Sequence, residues 1–150
     1  MAVRRGYQFR TIRRHEHADD IYAINTSASH RQGRFMSAGY HERPTDTPLP
    51  AYACPRHAIR TYGVLAREGN LVAYLWMYRA GELALVSSIL GHADYLADSI
   101  MYLLFAGALE QEIHAGAGAI VYNRHDSGTD GLRFYKERCG LEETLVEWLL

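Results

Sequence analysis

Three β-patterned runs in a row, followed directly by one long apolar helix, leave few folds open to this chain. The runs are TYGVLARE (61–68), NLVAYLWMYR (70–79) and ELALVSSILG (82–91), separated by the turns Glu68-Gly69-Asn70 and Ala80-Gly81. Turns this short join antiparallel neighbours, so the spacing predicts three consecutive strands of one sheet. The period then changes. From Tyr95 to His114, Leu96, Ile100, Leu103 and Leu104, together with Met101, Phe105, Leu109 and Ile113, make an apolar stripe wide enough to pack on a sheet. Asp98, Glu110 and Glu112 interrupt it at helical positions, which marks a buried core helix rather than a membrane span. Gly116 supplies the left-handed stop.

The flanks complete the order. YQFRTIRR (7–14) reads as a first or edge strand, and HEHADDIYAINTSAS (15–29) as a helix with Ile21, Tyr22 and Ile24 inward. RQGRFMSAGYHER (31–43) suits a second short helix or an ordered loop. The next stretch holds Pro44, Pro48, Pro50 and Pro55 and is a surface loop. After the long helix come a buried strand in AGAIVYNRH (117–125), a helix in GTDGLRFYKERCG capped at Thr129 or Asp130 and closed by Gly140, and a last strand in LEETLVEWLL. The expected order is strand, one or two helices, three strands, helix, strand, helix, strand.

With 150 residues and 48% hydrophobic content, residues 1–150 are expected to form a single α/β domain. A formal charge of −1, from 16 basic and 17 acidic side chains, gives no global field for nucleic acid or an anionic membrane. The local bias is a cluster of Arg4, Arg5, Arg10, Arg13 and Arg14, followed by Arg31 and Arg34. Cys54 and Cys139 lack metal spacing and fit free thiols in a reducing compartment. No apolar run follows the first arginines, so the expectation is a cytoplasmic protein without a secretory signal. HEHADD does not define a metal site, because His15 and His17 point to different faces of a helix. Neither a Walker loop, a GxSxG elbow nor a CxxC pair occurs.

The element order, with FYKERCGL (134–141) near the C-terminus, resembles the GNAT superfamily of acyltransferases from Tyr7 onward. The resemblance implies a mixed, mostly antiparallel sheet flanked by helices and transfer of an acyl group from a thioester or ester donor to an amine. It implies that Tyr135 is the acid that protonates the departing thiolate, set against the alternative of a core aromatic. The strand carrying Val86, Ser87, Ser88 and Ile89 would splay from the next one and pair with an extended donor arm. Ser87 and Ser88 would be reachable by an acceptor or carbonyl, or would merely relieve crowding. Asn123, Arg124, His125 and Asp126 would lie on the reactive rim, with His125 or His92 as proton acceptor. Residues 31–41 and 43–56 would shape the acceptor pocket.

Members that use coenzyme A grip its diphosphate in a glycine-rich turn before the long helix. Here that turn is GHADYLADS (91–99), with one glycine and the carboxylates Asp94 and Asp98, so acyl-CoA is a doubtful donor. The spacing from Tyr135-Lys136 to Gly140 is similar to the Fem-type branch, which takes its acyl group from aminoacyl-tRNA. That likeness implies Lys136 as an oxyanion partner and tRNA as an alternative donor, which would need Arg10, Arg13, Arg31 and Arg34 aligned on the cleft side. A catalytically inactive binding module is the alternative of a different class. A peptide or small-molecule amine acceptor, no metal, no membrane and a possible homodimer through the final strand complete the expectations.

Overall fold

A computed structural model describes residues 1–31, 33–45, 54, 56–124 and 128–145. The three β-patterned runs form its centre as β4 (His57–Leu65), β5 (Leu71–Ala80) and β6 (Leu83–Gly91). With β1 (Gln8–Ile12) and β7 (Ala119–Val121) they make a five-stranded sheet in the order β1-β4-β5-β6-β7. All neighbours are antiparallel except β6 and β7. That one parallel pair follows from its connection, because α2 (Ile100–His114) carries the chain back across the sheet between the two strands.

β5 is apolar on both sides because both faces are covered. On one face α1 (Ala18–Thr26) sets Ile21 and Ile24 against Leu71, Tyr74 and Leu90. On the other, Ile100, Leu104, Phe105 and Ala108 of α2 pack on Tyr62, Val72, Leu75, Met77, Ala84 and Val86. Gly107 lets α2 approach β1, since a Cβ there would stand 2.5 Å from the Phe9 ring. The polar break in α2 is also internal. Glu112 is fully buried and accepts from Arg60 at 2.7 Å, Tyr62 at 2.7 Å and Arg79 at 3.3 Å.

Several expectations change. The described residues of 31–43 contain no α-helix; His30–Arg31 (β2) and Arg34–Phe35 (β3) form a small hairpin, followed by a 3-10 turn at Ala38–His41. The long helix begins at Ile100, not Tyr95: Ala93–Asp98 is a separate 3-10 segment, and Ser99 at φ 64° breaks the two apart. The strand in 117–125 is only three residues long. Residues 141–145 form no strand, and the rest of the predicted last strand, like most of the proline-containing loop, lies outside the described residues. α3 (Asp130–Arg138) follows β7 as expected, and both cysteines are free thiols. Among the described residues no helix is long and apolar enough to cross a membrane.

Candidate functional site

β6 and β7 pair only at Leu83–Ala119, Ala84–Ile120 and Leu85–Val121. Beyond Leu85, β6 keeps β5 on one side as far as Gly91, but β7 has already ended. Asn123, at φ 54°, turns the chain away, a conformation that asparagine tolerates better than most residues. The backbone edge of β6 therefore faces a gap.

A β-bulge lies in that exposed stretch. Trp76 pairs with Ser88 and Met77 with Val86, leaving Ser87 unmatched. One extra residue reverses the alternation of side chains. Ala84 and Val86 face α2 before the bulge; after it Leu90 faces α1, while Ile89 and Gly91 face α2.

The gap opens into a cleft of about 730 Å³. Ser87, Ser88, Ile89 and Gly91 line one wall, Tyr122, Asn123, Leu132 and Tyr135 another, and the β2–β3 hairpin with Tyr40 a third. The hairpin reaches across toward α3, since a Cβ on Gly33 would stand 3.7 Å from Thr129. Arg31 anchors it, donating to the Gly91 carbonyl and the Ile24 carbonyl, both at 2.9 Å, and to Ser27 Oγ at 2.8 Å. Ser27 Oγ in turn accepts from the Ala93 amide at 3.0 Å.

Tyr135 comes from α3 and donates its hydroxyl to the Met101 carbonyl at 3.0 Å. Burial, reinforced by the neighbouring Cys139, pushes its pKa above the ordinary tyrosine range. It stays protonated at any physiological pH, as a hydrogen-bond donor must. Cys139 is itself pushed up, mainly by burial.

Of the residues singled out from sequence, Tyr135, Ser87, Ser88, Ile89 and Asn123 meet in this cleft. Val86 lies beside them but its side chain is in the core, so only its backbone can serve. Lys136 is elsewhere. Its ammonium is buried, donates to the Arg124 carbonyl at 2.8 Å and lies 5.2 Å from the centre of the Tyr122 ring, outside the cleft lining. His92 caps the 3-10 segment, accepting from the Asp94 amide at 3.4 Å, and is also outside the lining. His125 lies outside the described residues. The expectation that residues 31–41 shape a pocket named this segment, and Arg31 and Arg34 do line the cleft, but it did not foresee the hairpin that carries them.

The architecture is shared with solved acetyltransferases. No protein-family model matches the chain, and no curated protein matches it by sequence. By fold it is similar to an aminoglycoside acetyltransferase from an uncultured soil metagenomic sample, with TM-score 0.65, 11% identity, and 96% of this chain and 97% of that one covered. It is also similar to a ribosomal-protein-alanine N-acetyltransferase from Brucella melitensis biovar Abortus 2308, with TM-score 0.63, 16% identity and coverages of 96% and 97%. The Escherichia coli ribosomal-protein-S18-alanine N-acetyltransferase matches with TM-score 0.59 and 11% identity, over 88% of this chain and 76% of that one. The chain thus has the GNAT fold, a single α/β domain built on a mixed, mostly antiparallel sheet flanked by helices.

The turn before α2, where the resemblance would place a diphosphate grip, is engaged with the rest of the chain. Five of its backbone amides have partners within the chain: His92 on the Val72 carbonyl, Ala93 on Ser27, Asp94 and Tyr95 on His92, and Ser99 on Leu96. Gly91 offers no cradle, because a Cβ there would stand 2.6 Å from Met101 Sδ inside the fold. Asp98 is held by the Arg5 guanidinium and by the Tyr7 hydroxyl at 2.6 Å, so the turn grips the chain's own N-terminal segment.

Proposed function

We propose that the protein is an N-acyltransferase that moves an acyl group from an activated thioester or ester to an amine. The observation that carries this reading is the splayed β6–β7 edge opening onto a cleft walled by the Tyr135 hydroxyl. An extended donor arm adds to the exposed edge of β6 by main-chain hydrogen bonds. The bulge at Ser87 frees backbone N–H groups from the sheet ladder next to the place where the acyl carbonyl arrives, and donors fixed in advance stabilise the developing oxyanion. The amine attacks the carbonyl carbon, the tetrahedral intermediate collapses, and the bond to the leaving sulfur or oxygen breaks. Tyr135 turns its one hydroxyl proton from the Met101 carbonyl to the departing anion and steadies it by hydrogen bonding. Its burial disfavours the phenolate, so the leaving group's proton comes ultimately from the attacking ammonium through solvent or His125. Lys136 acts as a positioning residue that holds the Asn123–Arg124 rim.

The donor is recognised by its acyl arm rather than by a diphosphate. Arg31 and Arg34 line the cleft, but Arg10 lies on β1 at the opposite edge of the sheet bonded to Gln8, and Arg13 pairs with Glu16. The four do not make a track, which takes away the support that an aminoacyl-tRNA donor requires.

The test is acyl transfer to a panel of amines, read by mass spectrometry, from acetyl-CoA and from the truncated thioester S-acetyl-N-acetylcysteamine. Comparable kcat/KM with the two donors, within about tenfold, is expected, because a missing diphosphate contact changes little where there is no grip for it. No transfer from either donor to any amine would remove the enzyme reading and leave a binding module.

A further inference from the structure

We infer that Arg31 and Arg34 form an anion-recognising subsite at the mouth of the cleft, so that the acceptor amine also carries a carboxylate or phosphate group. This rests on the acyltransferase reading for the word acceptor, though the subsite itself is a matter of binding.

Arg31 and Arg34 are direct partners in the β2–β3 hairpin. Side chains at directly opposed positions share a face with Cβ atoms about 4.5–5.5 Å apart, and like charges so placed repel. Nothing in the hairpin relieves this. Every hydrogen-bond acceptor of Arg31 is neutral, being the carbonyls of Gly91 and Ile24 and the Ser27 hydroxyl. Arg31 Nε is buried and has no acceptor among the described residues. Arg34 is exposed and makes no ion pair among them. Among the described residues the lining of the cleft includes Arg31, Arg34 and His30 but neither an Asp nor a Glu. A site shaped for a polycationic amine would show the opposite sign.

The arrangement supplies what an anion needs. Arg31 is fixed by three bonds and contributes a positive charge that its partners do not cancel. Arg34 is free to swing and can clamp a carboxylate or phosphate bidentately. The anionic end of the acceptor would lie under the hairpin, leaving its amine to reach the carbonyl at Ser87 and Tyr135.

Isothermal titration calorimetry of the donor-free protein tests this with two matched pairs: an α-amino acid against its carboxamide, and O-phosphoethanolamine against ethanolamine. The anionic member of at least one pair should bind about tenfold more tightly or better. Arg34→Ala should erase that preference and Arg34→Glu reverse it, with unchanged melting temperatures because Arg34 is exposed. Equal or tighter binding of the neutral members, a preference that survives Arg34→Ala, or no binding of either anionic probe would overturn the inference. So would a loss in Arg34→Ala of affinity for acetyl-CoA alone, which would assign the anion to the donor. The two readings fail separately. A preference without acyl transfer sinks only the enzyme, and transfer confined to neutral amines sinks only the subsite.

Discussion

The Tyr7 hydroxyl donates to the Asp98 carboxylate at 2.6 Å, joining the N-terminal segment to the turn before α2. That bond, with burial adding to it, pushes the Tyr7 phenol up to about 12. The unfolded chain releases the same proton near pH 10. Between those values the native state holds more protons than the unfolded one, so stability falls as pH rises. The contribution is complete below about pH 10 and is lost on approach to pH 12. Tyr7→Phe should therefore be destabilised relative to the parent at pH 8, and the difference should shrink toward pH 11, read from urea midpoints. A pH-independent difference would mean that the bond has no such linkage.

Tyr135→Phe separates the chemistry from the packing. The ring stays in place against Tyr102 and Phe105, while the hydroxyl's bond to the Met101 carbonyl and its interaction with the Cys139 thiol are lost. The stability cost should be about 0.5–1.5 kcal/mol. The fall in kcat should be about 10²-fold or more, the scale of a lost acid or leaving-group donor. Because Tyr135 is pushed above the ordinary tyrosine range, it does not ionise below pH 10. Rate profiles from pH 6 to 10 should then have the same shape in both proteins. A titration lost in the variant would assign Tyr135 a pKa that its surroundings oppose.

Glu112→Ala should be among the most damaging substitutions in the chain. The carboxylate is fully buried and serves Arg60, Arg79 and Tyr62 together. Removing it strands two guanidiniums and a hydroxyl, at a cost of about 3–5 kcal/mol. Glu16→Ala breaks an exposed pair with Arg13 and should cost less than about 1 kcal/mol. Paired denaturation curves check both, and similar losses would deny Glu112 its special place.

The sheet and its helices were legible because each run of sequence has one dominant period. The strands at 61–91 and the stripe from Ile100 to Ile113 needed no tertiary information. Of the candidate cleft, the lining positions Ser87, Ser88 and Tyr135 were legible, because they follow from the fold. The cleft was not legible where contacts distant in sequence decide. Nothing in the residues around Lys136 says that its ammonium turns to the Arg124 carbonyl, and nothing near Asp98 announces Arg5 and Tyr7, over 90 positions away. The β2–β3 hairpin escaped because strands of two residues are too short to display a period. The break at Ser99 escaped because the apolar stripe continues through it, while the left-handed backbone of a serine leaves no mark on the pattern.

Lys136 distinguishes two ways in which a cation can serve this cleft. Were its ammonium the oxyanion partner, Lys136→Met would lower kcat by several kcal/mol of transition-state stabilisation with little change in acceptor KM. Its position beneath Arg124 and beside Tyr122 argues for support of the rim instead. Lys136→Met should then raise the acceptor KM and lower kcat together, each by about tenfold or less, since a shifted wall misplaces a substrate without removing a reacting group. The pH profile should keep its shape. Lys136→Arg should restore part of both values, because a guanidinium can still donate to the carbonyl. Steady-state kinetics on the three proteins decides, and a pure kcat loss that arginine fails to rescue would return Lys136 to the reaction itself.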